Sequence, residues 1–178
     1  MLRLGLLFCA LLVAGGLGTA SIERLNLTQM VSKTDHAVYG EITAAHVFKA
    51  TEASGSDHYF TRLTIEGTSL VDQRPITIDV TVYGGYLNEN EGAYYSEAPS
   101  ADDIRVGNRI VGFTKWSDDM GAGVASNVFY AAHGGLFRTV DGPRGTTVLG
   151  RGAGYAVSRN VNVVTLGTQI RTIRAERK

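Results

Sequence analysis

The chain has little of what most directly announces a function. It carries one cysteine, Cys9, in 178 residues, so no disulfide can form within it and no thiolate cluster is available to hold a metal. Lysine plus arginine and aspartate plus glutamate number 17 each, so there is no overall positive excess of the kind that binding to a phosphate backbone draws on. One run is long and apolar, Leu4–Leu17, and at roughly 14 residues it falls short of the roughly 20 that cross a bilayer as a helix. The pattern His-Glu-x-x-His is absent, and with it the helix geometry that sets two imidazoles and a general base around zinc. Gly-x-Ser-x-Gly is absent too, and with it the strained turn that exposes a serine nucleophile. There is no internal repeat and no low-complexity tract. These absences leave compartment, architecture and candidate surfaces as the subjects on which the residues speak.

What is present begins with an export signal. Arg3 precedes the apolar Leu4–Leu17 run, and Gly18-Thr19-Ala20 supplies the small-x-small pattern of a cleavage site. Residues 1–20 therefore read as a signal peptide, with Ser21 as the new N-terminus and a periplasmic or extracellular destination. Cys9 leaves with it, and Leu7 and Phe8 are not the small residues that precede a lipid-modified cysteine. Residues 21–178 have the length of one domain, large enough to bury a core without disulfide or metal.

Asn26-Leu27-Thr28-Gln29 predicts a short helix, with a reciprocal cap between Asn26 and Gln29 and a staple between Leu25 and Met30. From His36 the hydrophobic period becomes that of strands. Ala37–Phe48 is the first, with Gly40 marking a bend or bulge. Tyr59–Val71 is the second. In the third, Ile76–Tyr83, the residues Ile76, Ile78, Val80 and Val82 alternate with Thr77, Asp79, Thr81 and Tyr83. One apolar and one polar face suit an antiparallel sheet. After Gly84-Gly85, about twenty residues read as irregular as far as Gly107-Asn108.

Two more strands follow, Ile110–Trp116 and Val124–Ala132, about the hairpin loop Ser117–Gly123. Leu136–Val140 and Thr146–Leu149 form a short hairpin, and Tyr155–Val163 reads as a turn-like connector. Leu166, Ile170 and Ile173 lie at helical spacing and predict a C-terminal helix at about 164–177, with Arg171, Arg174 and Arg177 off its apolar face. The fold class expected is mainly β: a small antiparallel OB-like barrel of about five strands plus a short hairpin, with a short N-terminal helix and a C-terminal helix. A β-sandwich is the alternative.

The balanced charge conceals an asymmetry. Residues 21–133 hold 8 basic and 15 acidic residues, and residues 134–178 hold 8 basic and 2 acidic. The basic tail either docks on the acidic body of its own chain, which its apolar spacing favours, or reaches a membrane or other partner.

Several landmarks resemble a group of exported bacterial proteins of uncharacterised function with an OB-like barrel. They are Leu27-x-x-Met30-Val31, Asp35-x-x-Val38-x-Gly40-x-Ile42, Tyr59-Phe60-Thr61, Ile78-x-Val80-x-Val82-x-Gly84-Gly85 and Val106-Gly107-x-x-Ile110-Val111-x-Phe113. The resemblance implies a fold and no activity. A more distant likeness is to netrin-like OB barrels, which include tissue inhibitors of metalloproteases. Those inhibitors chelate the protease zinc through a mature N-terminal cysteine. This chain would start at Ser21 and keep no cysteine, so that mechanism does not carry over.

Among the motifs, His133-Gly134-Gly135 and Gly150-Arg151-Gly152-Ala153-Gly154 read as turns rather than as an oxyanion loop or a dinucleotide loop, because neither has its required strand or helix context. His36, His46 and His58 are isolated, and Asp118-Asp119 and Asn88–Glu91 lack the ligand spacing of a calcium loop. No metal or cofactor is expected, and the acidic barrel is not expected to bind nucleic acid. The best candidate surface is the excursion between the third and fourth strands, with Tyr83, Tyr86, Tyr94 and Tyr95 beside Glu89, Glu91, Asp102 and Asp103 and no basic residue. Long loops of this kind often bind, and tyrosine offers a rigid ring with a hydroxyl tip. The expected function is a non-enzymatic exported module that recognises a protein or cell-envelope component through this loop. The alternatives are a secreted hydrolase with a dispersed site, for instance His133 with an acid from the loop, and a protease-inhibitor-like protein.

Overall fold

The computed structural model describes residues 23–177. The signal peptide expected at residues 1–20, and Cys9 within it, lie outside the described residues.

The chain enters through a capped helix, α1 (Leu27–Lys33). The Gln29 amide donates to Asn26 Oδ1 at 2.9 Å, and the Asn26 amide donates to Gln29 Oε1 at 3.0 Å. Two amides that the first turn leaves unpaired are thereby satisfied together. Three long strands follow: β1 (His36–Thr51), β2 (Asp57–Ser69) and β3 (Pro75–Tyr83). A small separate hairpin, β4 (Gly85–Asn88) and β5 (Glu91–Ala93), precedes β6 (Arg109–Ser117) and β7 (Ser126–Phe129). The chain then makes a single 3-10 turn at Ala132–Gly135, runs through β8 (Leu136–Val140), β9 (Thr147–Val148) and β10 (Val161–Asn162), and ends in α2 (Val163–Ala175).

Five of these strands close a barrel in the order β1-β2-β3-β7-β6, with β6 returning to β1. Four of the five pairings are antiparallel; the fifth, β3 with β7, is parallel and consists of the one pair Val80↔Asn127. The expectation of a purely antiparallel barrel is corrected here, and the reason is parity. An odd number of strands in a closed ring cannot alternate direction all the way round, so one neighbouring pair must run the same way.

Two smaller expectations are corrected as well. The excursion after β3 is not irregular throughout, because β4 and β5 pair within it, with a register shift between Tyr86 and Asn88. Strands of four and three residues are too short for alternation to show in the sequence. The connector before α2 also contributes β10, which pairs with β9 through Val161↔Val148.

Two apolar cores share the barrel wall. Val38, Ile42, Leu63, Ile65, Ile78, Val80 and Ile110 fill the interior. The second core lies outside the wall, where Met30 and Val31 of α1 and Leu166 and Ile170 of α2 pack over Val111, Phe113 and Phe137. Strand β6 therefore buries both of its faces, which explains its nearly continuous apolar run. Phe113 meets Phe137 edge-on at 6.0 Å and 85°, an arrangement that adds about 0.5–1.5 kcal/mol beyond area burial. The basic C-terminal helix thus lies against the barrel of its own chain. Arg174 Nη2 donates to the Thr34 carbonyl at 2.5 Å and Arg171 Nη1 to the Leu70 carbonyl at 3.5 Å.

Strands β1 and β2 approach closely where Gly40 pairs with Gly67. A Cβ on Gly40 would stand 2.5 Å from the Glu66 carbonyl oxygen, so only glycine permits this approach. The bulge lies three residues further on, between Ile42 and Ala44. No described helix is long and apolar enough to cross a membrane.

Candidate functional site

The parallel closure is the narrowest seam of the barrel, because β3 and β7 share only the Val80↔Asn127 pair. A cleft of about 480 Å³ opens over it, within the size range of small-molecule sites, roughly 300–1,000 Å³. Tyr83 ends β3 and forms one wall with Tyr95, from the segment that follows β5. Lys115 and Trp116 of β6 and Tyr130, just past β7, form the other. The floor is apolar and buried: Val82, Met120 and Phe129.

The wall on the β3 side is prepared by strand register. Phe48 of β1 faces Phe60 of β2, and Phe60 faces Tyr83 of β3, so three rings form a row across the sheet at centroid spacings of 5.5 and 5.6 Å. Tyr95 extends the row, 5.7 Å from Tyr83 and tilted by 47°. Phe60 is fully buried, so exposed Tyr83 rests on a fixed backing. Burial raises the Tyr83 phenol above the ordinary tyrosine range, and the negative charge of Asp119 adds to this.

Trp116 is half-exposed at 51% and held at two points. Its backbone amide donates to Asp35 Oδ2 at 2.8 Å, and its indole Nε1 donates to Asp118 Oδ1 at 2.9 Å. Both donors are occupied inside the protein, so what the side chain offers to a ligand is the indole face. Lys115 Nζ lies 5.8 Å over the Tyr130 ring, and the Tyr130 hydroxyl donates to Glu23 Oε2 at 3.1 Å. Beyond Tyr130, Ala131 and Ala132 adopt φ of 55° and 51°, the left-handed region that costs a residue with a Cβ roughly 1–2 kcal/mol. The next residue ties this wall to the segment after β5: the His133 amide donates to the Glu97 carbonyl at 3.3 Å, with ring Nδ1 3.1 Å from the same oxygen. Such strain persists only where surrounding contacts enforce it.

The sequence-predicted residues fall in three places. Tyr83 and Tyr95 line the cleft. Tyr86, Glu89 and Glu91 lie on or at the turn of the β4–β5 hairpin, and Tyr94 follows it with 78% exposure. Glu91 is engaged internally: Lys49 Nζ stands 2.9 Å from it and the Tyr59 hydroxyl donates to it at 3.4 Å. Lys49 holds the Glu91 carboxyl below the usual range. Asp102 pairs with Arg105, and Asp103 stands 3.7 Å from Arg138 on β8. Neither lines the cleft.

The residues that sequence reasoning missed are Lys115, Trp116, Met120 and Tyr130. One signal was available, the chain's single tryptophan at the end of a strand. No periodicity could show that Trp116 and Tyr95 share one cavity, because that depends on how the barrel closes.

His133 meets a backbone carbonyl rather than a carboxylate. Among the described residues, no three His, Cys, Asp or Glu side chains gather as a metal cluster. Side chains of both calcium-candidate loops serve their own turns: Asp119 accepts from the Gly121 amide at 2.7 Å, and Asn88 from the Asn90 amide at 3.0 Å. Aromatic faces beside an apolar floor suit the chemistry of an amphipathic ligand. Comparison with protein-family models, curated proteins and solved structures finds no match to this chain.

Proposed function

We propose that the protein is an exported, non-enzymatic binding module that recognises a cell-envelope component or an exported protein, and that the cleft over the β3–β7 seam is where it does so. The observation that carries this reading is the group of aromatic side chains lining the cleft, exposed Tyr83 and Trp116 with half-buried Tyr95, set around an apolar floor on the closed barrel. The strand order β1-β2-β3-β7-β6, closed onto β1 with β3 parallel to β7, supports an OB-type barrel as the scaffold. Export rests on the pattern of residues 1–20, and its check is the intact mass of the secreted chain, which should begin at Ser21. The reading includes no nucleic-acid partner. It also gives the C-terminal helix no membrane role, since Leu166 and Ile170 are used against the barrel.

Retention on an immobilised envelope fraction tests the module. The double variant Tyr95→Ala/Trp116→Ala should lose retention while keeping its melting temperature within a few degrees. Tyr86→Ala/Tyr94→Ala, on the neighbouring hairpin side, should keep it. Equal retention of wild type and the cleft variant would refute the assignment, and selective loss in the hairpin variant would move the site to the tyrosine-rich loop.

A further inference from the structure

We infer that the cleft takes a neutral oligosaccharide, with sugar rings lying against the faces of Trp116 and Tyr95. This rests on the binding-module reading and adds the class of ligand to it. The first support is the form in which the aromatics are presented. Trp116 has both N–H groups bonded to Asp35 and Asp118, so its exposed indole can offer stacking area and no donor. Tyr83 and Tyr95 meet at 47°, which makes an angled wall rather than a flat platform. A pyranose ring has an apolar C–H face and a rim of hydroxyls. It therefore matches a site whose plates are apolar and whose edges carry phenol hydroxyls.

Charge narrows the class further. Among the described residues, the charged side chains lining the cleft are Lys115 and Glu97, one of each sign. A site for a polyanion or a phosphate gathers positive charge, and this one does not. The Lys115 ammonium and the Glu97 carboxylate are, however, a donor and an acceptor for sugar hydroxyls. The third support is rigidity. Trp116 is pinned at two hydrogen bonds, Tyr83 rests on buried Phe60, and the Ala131–Ala132 wall is tied to Glu97 through His133. A site set before the ligand arrives loses less ordering entropy on binding, which matters for a ligand that offers few apolar atoms.

Trp116 is the only tryptophan in the chain, so its fluorescence reports on the cleft alone. The probes are chitotetraose, cellotetraose and maltotetraose, a heparin-derived sulfated tetrasaccharide, and a random decapeptide library, each titrated into the mature chain. At least one neutral tetrasaccharide should shift the Trp116 emission with a saturating curve. Tyr95→Ala should weaken that affinity by roughly tenfold or more, and Tyr86→Ala should leave it unchanged. Amide chemical shifts should locate the change at Tyr83, Tyr95 and Trp116. Response to the sulfated sugar alone overturns the inference, because the site then selects charge. Response to peptides alone also overturns it, while leaving the binding module standing. No response to any neutral sugar, together with unimpaired envelope retention by the cleft variant, overturns both.

Discussion

Replacing Ile170 with alanine tests whether the basic C-terminal helix belongs to the fold or hangs ready for a partner. Ile170 is fully buried and belongs to the same core as Leu166, Phe113 and Phe137. The substitution removes three carbons from a position walled by the barrel on one side and by α1 on the other. Truncations of this kind cost about 2–5 kcal/mol, and a wall of closed β-structure leaves little scope for collapse. The loss belongs in the upper half of that range, against a total stability on the order of 5–15 kcal/mol for a domain. At about 2–4 °C per kcal/mol for this size, the melting temperature should fall by roughly 7–20 °C. Val164 lies on the same helix with 71% exposure, and Val164→Ala should stay within about 0.5 kcal/mol of wild type. Urea unfolding followed by far-UV circular dichroism measures both, and an unchanged slope shows that only stability moved. If Ile170→Ala and Val164→Ala share one midpoint, the helix is not docked. Its arginines would then be free for another surface, and the account of the second core would be wrong.

Other perturbations probe the close approach of β1 and β2 and the hairpin. Gly40→Ala sets a methyl 2.5 Å from the Glu66 carbonyl oxygen; a clash with backbone should cost about 1–3 kcal/mol or more, read from the same urea midpoints, and a neutral result would mean the strands do not approach there. The hairpin gives a pH prediction. Lys49 Nζ stands 2.9 Å from Glu91 and 3.3 Å from Asp57, and both carboxyls are held below their ordinary range, Glu91 chiefly by Lys49 and Asp57 chiefly by the Thr51 hydroxyl. Groups with lowered folded pKa stabilise above their unfolded values, about 4, and lose that contribution as pH falls through the folded ones. Lys49→Met should therefore flatten the acid limb of stability against pH, mostly through Glu91, while Asp57 keeps the effect of Thr51. A parallel acid limb in wild type and variant would contradict this.

Much of the wall was legible because each signal was local and long. Strand β3 alternates over eight residues with one face in the barrel interior, and the pattern survives folding because its neighbours β2 and β7 leave the pleat intact. The face of α2 was legible for the same reason: Leu166 and Ile170 recur at the helical period and meet one core. Strand β6 was legible as a strand but not as a double-faced one, since an apolar run does not say which residues go inward. The β4–β5 hairpin was missed because three or four residues cannot display a period. Of the candidate site, Tyr83 and Tyr95 were named because they lie close together in the chain. Trp116 and Tyr130 were not, because their nearness to those tyrosines is created by closure.

Composition and periodicity alone determined the mainly β character, the five principal strands, the C-terminal helix and the division of charge between body and tail. Each depends on residues within a few positions of one another. Only the tertiary structure decided that the tail lies on its own barrel, that an odd ring of strands forces one parallel seam, and that an aromatic cleft opens over it. Those outcomes depend on contacts between residues far apart in the chain, such as Val80 with Asn127 and Arg174 with Thr34, and no local pattern encodes which distant partners a closed ring will bring together.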